Sequence, residues 1–471
     1  MATTKKSPFY ICIVSAIAAI AGLLFGFDTG IISGALLFIQ KDFVISTTMK
    51  ELIVSSVLLG AMFGSLAGGY LTDRFGRRRL MLIISALFIL GTGIAAFAND
   101  VNAILFGRLF IGFAIGMGSY TAPLYIAEIA PFEWRGALVS LNQLAITLGI
   151  LSSYLINYAF TNIDGSWRWM FGIGLVPAVL LSVGMIFLPE SPRWLVKKNK
   201  IEEATKILQR LRNSTDVNDE LQEIRHSFKM KQASFREIFS PWVRPVLFFG
   251  AMLGVIQQVT GINTIIYYAP IIFQLAGFHD AASSILATVG IGVVNVLATV
   301  FAIYYLDRLG RRPLLLTGIV GMALTLSGLS LAFYLGASGD AMRFIAIACT
   351  FIYIICFAFS LGAILWLIVS EIFPLEVRAT TMGVAVFSCW IANFAVSSTF
   401  LTLLNALGPS ATFLLYALMC VFSFVFCYYK TPETKGVTLE QIEENIRQRL
   451  PLRAIGQPVP AKELEPVKAY V

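Results

Sequence analysis

The chain has 471 residues, of which 57% are hydrophobic and only 13% are charged. Soluble proteins are typically about one-quarter charged, so this composition excludes a soluble fold with buried helices and predicts a membrane protein. The net charge of +8 does not indicate nucleic-acid binding, because the basic residues are concentrated in a few loops between apolar segments and in the tail.

Long apolar segments follow one another along the whole chain. Roughly 18 apolar residues suffice for a helix to cross a bilayer, and about twelve segments reach that length. They lie near residues 9–39, 51–72, 80–98, 102–129, 136–159, 168–188, 246–275, 283–306, 313–336, 343–371, 380–404 and 410–429. A cleaved signal peptide is an alternative for the first segment, which follows Lys5 and Lys6. That segment is too long and contains Asp28, so the sequence predicts an all-α membrane protein with twelve transmembrane helices.

Basic residues concentrate in every second loop. They lie in DRFGRRR (73–79), in the segment 189–245, in DRLGRRP (307–313) and in the tail. The alternate loops, near residues 100, 162, 280, 340 and 406, are short and nearly free of Lys and Arg. Because basic loops of membrane proteins stay in the cytoplasm, we expect both termini there. The protein is then a multi-pass protein of the plasma membrane, which in bacteria is the inner membrane.

Charged phrases repeat along the sequence at a nearly constant distance. EIAPFEWRG at residue 128 returns as EIFPLEVRA at residue 371, DRFGRRR as DRLGRRP, PESPRW as PETKG, and TGI at residue 29 as TGI at residue 260. All four repeats share an offset of about 231–243 residues, and secondary transporters are built from such repeats. We predict a six-helix half at 1–188, a cytoplasmic linker with amphipathic helices at 189–245, a second six-helix half at 246–429 and a cytoplasmic tail at 430–471.

These phrases, together with PESPRWL and QQVTGINTIIYYAP (257–270), cover nearly the whole chain. In this order they resemble the major facilitator superfamily and, within it, the sugar porters. Bacterial sugar–proton symporters of the galactose, arabinose and xylose type share them, and so do animal facilitative glucose carriers. The resemblance implies the two-half fold of that superfamily and a monosaccharide as substrate, carried by alternating access. It implies a monomer without cofactor, metal, nucleic-acid partner or enzymatic activity.

The repeated charged phrases have a simple interpretation, which is that they stop each span and fix its orientation. The resemblance implies more, namely a cytoplasmic gate of interdomain salt bridges that closes this side in the outward-open state. The gate residues are Asp73, Arg77, Arg78, Glu128, Arg135, Glu190, Asp307, Arg311, Arg312, Glu371 and Arg378. A single exposed ion pair contributes only about 0.2–1 kcal/mol, so a gate requires several of them.

Two ionisable residues lie deep inside predicted spans, where charge is costly and is usually functional. Asp28 in span 1 and Arg108 in span 4 lie at compatible depths, and the resemblance matches them to the proton-coupling pair of symporters. A carboxylate in a low-dielectric cavity resists ionisation, whereas a nearby arginine favours it. A change in their separation would therefore change proton affinity. The alternative is a static pair that only holds spans 1 and 4 together.

Neutral polar and aromatic residues in the middle of the spans predict a sugar site. Amides both donate and accept hydrogen bonds, as sugar hydroxyls do, and aromatic faces supply apolar contact. The residues are Phe25, Gln143, Gln257, Gln258, Asn263, Tyr267, Tyr268, Asn295, Trp366, Cys389 and Trp390. On an ideal helix Gln258 and Asn263 would point about 140° apart, so we expect a break at Thr260-Gly261. For any single amide, polar contact between helices is the alternative.

The family resemblance leaves three functions to compare. A proton-coupled monosaccharide symporter, for a hexose or a pentose, is the leading interpretation. An uncoupled facilitative carrier is the second, and Asp28 argues against it because facilitative glucose carriers have Asn there. A sugar sensor on the same fold is the third; it would be expected to carry a long cytoplasmic extension, and 430–471 shows no domain-like pattern.

Overall fold

The computed structural model describes residues 8–229, 235–336, 339–374 and 376–457. Within these ranges the regular secondary structure is helical, and twelve helices are long and apolar enough to cross a membrane, as the sequence predicted. In chain order, spans 1 to 12 are Phe9–Asp42, Thr47–Phe75, Arg77–Ala96, Val101–Ile129, Phe132–Ala159, Ser166–Phe187, Arg244–Leu275, Ala281–Tyr305, Arg311–Tyr334, Gly339–Ile372, Thr380–Ser397 and Phe400–Lys430.

The boundary between spans 11 and 12 differs from the prediction. The sequence prediction placed a loop near residue 406, within NALGPS, between an apolar segment that ends at 404 and one that begins at 410. In the structure the chain already turns at Ser398 and Thr399, and helix resumes at Phe400. Gly408 has a positive φ of 78°, and Pro409 follows it, so the helix kinks there. Residues 400–407 therefore form a short helical segment in front of the main body of span 12.

Three spans are interrupted near their middle. Span 6 consists of Ser166–Ile173 and Leu175–Phe187, and span 7 of Arg244–Val259 and Ile262–Leu275. Span 10 contains a π-helical turn at Ala358–Gly362 between Gly339–Phe357 and Ala363–Ile372. π turns leave the regular hydrogen-bond pattern of a helix and occur often at functional sites.

Shorter helices lie outside the spans. Pro192–Lys197, Ile201–Arg212 and Asn218–Lys229 follow span 6, and Leu439–Arg447 follows span 12. The segment IEEATKILQRLR of the linker forms the helix Ile201–Arg212. Its Leu208 packs in a small core with Trp194 and Leu221, whereas its Leu211 packs into the main core of the protein.

Close helix packing inside the bundle depends on small residues. Span 1 packs on span 5, and span 2 on span 4. A Cβ atom added at Gly26 would lie 1.8 Å from the carbonyl oxygen of Ile146 in span 5, which no side chain tolerates. Large apolar side chains such as Phe63 and Leu66 face outward, so the lipid-facing surface is apolar and the polar residues turn inward.

Candidate functional site

Asp28 and Arg108 form a buried ion pair in the interior of the first six spans. Nη1 of Arg108 lies 3.3 Å from Oδ1 of Asp28, and Nη2 lies 3.4 Å from Oδ2. Asp28 is 2% exposed and Arg108 is 0% exposed. Nη2 also lies 3.5 Å from the carbonyl oxygen of Val54 in span 2. Removing one charge from such a pair would leave the other buried and uncompensated, which is strongly unfavourable.

The same helix that carries Asp28 also contacts the second set of six spans. Phe25 lies three residues before Asp28, and residues three apart face the same side of a helix. The centroid of the Phe25 ring is 5.7 Å from that of Trp390 in span 11, with the planes tilted by 48°. One turn of span 1 therefore joins the buried ion pair to an aromatic contact between the two sets of spans.

The predicted break in span 7 is present and reorients its amides. Gly261 has a φ of 93°, a conformation that glycine adopts readily and other residues rarely. The break allows Nδ2 of Asn263 to donate to Oε1 of Gln258 at 2.7 Å. Tyr353 in span 10 stabilises the break, because its hydroxyl donates to the carbonyl of Thr260 at 2.9 Å.

Cys389 and Gln257 complete this amide cluster. Nε2 of Gln258 donates to Sγ of Cys389 at 3.1 Å and lies 3.2 Å from Oε1 of Gln257. Gln257 in turn donates to the carbonyl of Leu361 at 3.0 Å, within the π turn of span 10. Spans 7, 10 and 11 thus meet at a buried polar cluster that offers amide donors and acceptors.

Five further residues were predicted to bind substrate, and they differ in how deeply they are buried. Tyr267, Tyr268 and Asn295 are buried, and Gln143 and Trp366 are half-buried. The hydroxyl of Tyr268 donates to the carbonyl of Ser397 at 2.9 Å. Its ring also stacks on Phe400 at a centroid distance of 5.0 Å. Tyr268 therefore links span 7 to the turn between spans 11 and 12.

The predicted gate residues of the first half form a compact network at the end of spans 2, 3, 4 and 6. Arg77 donates two parallel hydrogen bonds to Glu128, at 2.8 and 2.7 Å. One oxygen of Glu190 accepts the backbone N–H groups of Arg77 and Arg78, at 2.8 and 3.1 Å. Asp73 lies 3.4 Å from Arg77 and 2.9 Å from Lys197. Glu128 thus binds the side chain of Arg77, and Glu190 binds the backbone of the first turn of span 3.

The second half repeats this network with its own residues. Arg311 donates to Glu371 at 3.0 Å, and the backbone N–H groups of Arg311 and Arg312 donate to Glu433 at 3.1 and 3.0 Å. The hydroxyl of Thr434 donates to Glu371, as that of Ser191 does to Glu128. The repeated phrases of the sequence therefore build the same hydrogen-bond pattern twice.

These ion pairs lie within one half each, so they are not the interdomain salt bridges that the sequence predicted for the outward-open state. Arg135 lies over the ring of Phe132 at 5.8 Å, and Arg378 donates to the carbonyl of Phe373 at 3.0 Å. The side chain of Asp307 lies outside the described residues.

Hydrogen bonds between the two sets of spans are found at the opposite end, away from the basic loops. The hydroxyl of Tyr154 in span 5 donates to the carbonyl of Ile266 in span 7 at 3.0 Å. Thr402 donates its backbone N–H and its hydroxyl to Glu51 in span 2, each at 2.7 Å. The two sets of spans are therefore held together at this end of the bundle.

Two carboxylates with clear structural roles were absent from the sequence prediction. Glu433 stands in PETKG where Glu190 stands in PESPRW, so the repeat itself was the signal for it. Glu51 is a single acid at the start of the predicted second span, and its position inside an apolar segment was the only signal available. Its partner Thr402 is 351 residues away, and nothing in the sequence indicates that pairing.

Known proteins share the sequence and the architecture of this chain. The family model for sugar (and other) transporters matches residues 14–446. The chain belongs to this family. The galactose-proton symporter of Escherichia coli strain K12 is 42% identical to this sugar transporter homologue over 96% of this chain and 97% of its own length. The arabinose-proton symporter of the same strain is 39% identical, over 94% of this chain and 95% of its own length.

Solved structures agree with the sequence relatives. The xylose transporter XylE from E. coli, in a partially occluded inward open conformation, superposes with a TM-score of 0.81 at 33% identity. The match covers 91% of this chain and 99% of that one. This sugar transporter family member therefore has the fold of the major facilitator superfamily, with two related six-helix halves. It is a multi-pass membrane transport protein and not an enzyme.

Proposed function

We propose that this protein is a proton-coupled monosaccharide symporter that works by alternating access in the inner membrane of a bacterium. Its substrate is a hexose or a pentose, and the proton gradient drives uptake. The galactose- and arabinose-proton symporters that share about two-fifths of its residues support this class of substrate and this form of coupling.

The observation that carries the proposal is the buried pair of Asp28 and Arg108, one helical turn from Phe25. Protonation of Asp28 would leave the Arg108 guanidinium without its counter-charge in a dry site. Span 1 must then move relative to span 4, until water or another acceptor can bind the Arg108 guanidinium. Because Phe25 is part of the same turn and contacts Trp390, that shift reaches the second half of the protein. Proton binding and conformational change are thereby coupled.

The amide cluster of Gln257, Gln258 and Asn263 is the proposed sugar site. Its internal hydrogen bonds keep the amides paired, and a sugar hydroxyl that donates and accepts can replace them without loss. Trp366 and Trp390 supply apolar surface for the sugar ring. The Cys389 thiol is a weaker hydrogen-bonding group than an amide, so we expect one hydroxyl of the sugar to be held less tightly.

The arrangement of contacts supports an inward-facing state. The positive-inside rule assigns the basic loops, with Arg77 and Arg311, to the cytoplasm. The bonds between the halves at Tyr154 and Glu51 then lie on the extracellular side and keep it closed. In the outward-open state we propose that the halves instead meet at the cytoplasmic gate, through Arg135 and Arg378 among others.

Uptake into proteoliposomes tests the proposal directly. We expect a labelled sugar to accumulate above its external concentration only when an inward proton gradient is imposed. A panel of unlabelled hexoses and pentoses, added in excess, identifies the substrate by competition. Equal final sugar levels with and without the gradient would indicate a facilitative carrier, and no sugar uptake at all would favour the sensor.

A further inference from the structure

Glu51 is a buried carboxylate that takes no part in the proposed proton coupling or sugar binding. It lies in the second turn of span 2 and is only 2% exposed. The extracellular ends of most spans carry little charge, and an acid there is costly to bury unless it is fully hydrogen-bonded. Both of its oxygens have a partner, and both partners belong to Thr402 in the other half.

The contact has the geometry of a helix cap supplied from another part of the protein. Residues 400–407 form a helical segment, and the first N–H groups of any helix have no partner within the helix. The residue before this segment, Thr399, makes no side-chain cap, because its hydroxyl donates backwards to Ala395 at 2.8 Å. The N–H of Thr402 is instead accepted by Glu51, at 2.7 Å.

Neighbouring contacts connect this cap to the proposed sugar site. Asn405 donates to the hydroxyl of Thr47 at 3.1 Å, again between the second and the first half. Phe400, at the start of the segment, stacks on Tyr268 at 5.0 Å. Tyr268 is one of the residues predicted to bind substrate. We call Thr47, Glu51, Thr402 and Asn405 the extracellular latch.

We propose that Glu51 is a positioning residue for transport, because it sets the free energy with which the extracellular side closes. In the inward-facing state its carboxylate caps residues 400–407 and holds span 2 against them. When the extracellular side opens, the two halves separate, and both Glu51 and the Thr402 N–H must exchange this bond for water. The cap therefore stabilises one state of the cycle and not the other, which is what a bias on a two-state equilibrium requires. This inference rests on the proposed alternating-access function.

The test measures the distance between the halves on the extracellular side in the full-length protein, reconstituted in lipid nanodiscs without sugar. Spin labels are placed at Val44 and His279, which are both exposed, after the six native cysteines are replaced by alanine. Double electron–electron resonance then gives the ratio of closed to open molecules. We expect Glu51→Ala to lower that ratio about tenfold, which corresponds to about 1.4 kcal/mol and is the size of effect that loss of a helix cap produces.

Three further variants separate the latch from a general loss of stability. Glu51→Gln keeps one acceptor for the Thr402 N–H, so we expect a smaller shift in the same direction. Thr402→Val removes only the hydroxyl, and its effect should not add to that of Glu51→Ala. Thr48→Ala, an exposed neighbour on the same helix, is the matched control and should leave the ratio unchanged.

Two results would contradict the proposed role of Glu51. Unchanged distance distributions in both Glu51→Gln and Thr402→Val would overturn the proposal, even if Glu51→Ala fails to fold. Additive shifts of Glu51→Ala and Thr402→Val would also contradict it, because they would show two independent effects. The measurement uses no sugar and no gradient. A negative result in the distance measurement therefore does not contradict the proposed symport. Conversely, the effect of the latch on the distances can still be measured if no sugar is taken up.

Discussion

Asp28 and Arg108 show how much a single pair of residues determines in this protein. Each was identified from the sequence because an ionisable residue inside a span is rare. The structure adds that both oxygens of Asp28 face the guanidinium within 3.4 Å and that the pair is excluded from solvent. At such a site a proton and a positive charge compete for the same carboxylate, which is the physical requirement for coupling.

Replacing Asp28 with Asn should uncouple the protein. The amide cannot take up a proton, so we expect gradient-driven accumulation to be abolished while exchange of labelled for unlabelled sugar continues. Both are measured in proteoliposomes. Asp100→Asn is the control, because Asp100 caps span 4 through Ala103 at 2.8 Å and Asn retains the capping oxygen. Undiminished accumulation in Asp28→Asn would show that the pair is only structural.

Span 7 is the element whose shape matters most for the substrate. The amide spacing predicted its break, since Gln258 and Asn263 could not otherwise face one ligand. The sequence did not indicate that the π turn of span 10 would supply a carbonyl to Gln257, or that Tyr353 would support the break. Those contacts depend on how three helices pack, and no local pattern encodes them.

A side chain at position 261 should damage this element. Gly261→Ala places a Cβ 2.9 Å from the ring of Tyr416, at a φ that costs an L-residue roughly 1–2 kcal/mol. We expect KM for sugar exchange to rise severalfold and thermal stability in detergent to fall. Gly383→Ala is the matched control, because an added Cβ meets nothing within 4 Å there. Equal KM values for the two variants would contradict the proposed role of the break.

The carboxylates that cap spans 3 and 9 should also behave as equivalents. Glu190→Gln and Glu433→Gln each remove a charge that accepts two backbone N–H groups from the first turn of a span. We expect each substitution to lower the free energy of unfolding by about 1–2 kcal/mol. The measurement is the midpoint of thermal unfolding, which should fall. Glu202→Gln, on the exposed side of the linker helix, is the control. A lower midpoint in only one of these two variants would argue against equivalent caps in the two halves.

For the whole molecule, the repeated phrases predicted most of the architecture, because charges mark the ends of spans and sidedness follows from them. Twelve spans were predicted correctly. The turn between spans 11 and 12 was placed wrongly, since NALGPS marks a kink inside a helix and not a loop. The contact of Glu51 with Thr402 was not predictable, because it joins residues 351 positions apart in the sequence.

Proton movement that accompanies sugar entry shows directly whether transport is coupled to protons. Proteoliposomes containing the protein are suspended in weakly buffered medium without an imposed gradient, and the transported sugar is added outside. We expect the external pH to rise as sugar and protons enter together, and we expect no rise with Asp28→Asn. Entry of sugar into wild-type vesicles without any change in external pH would contradict proton coupling.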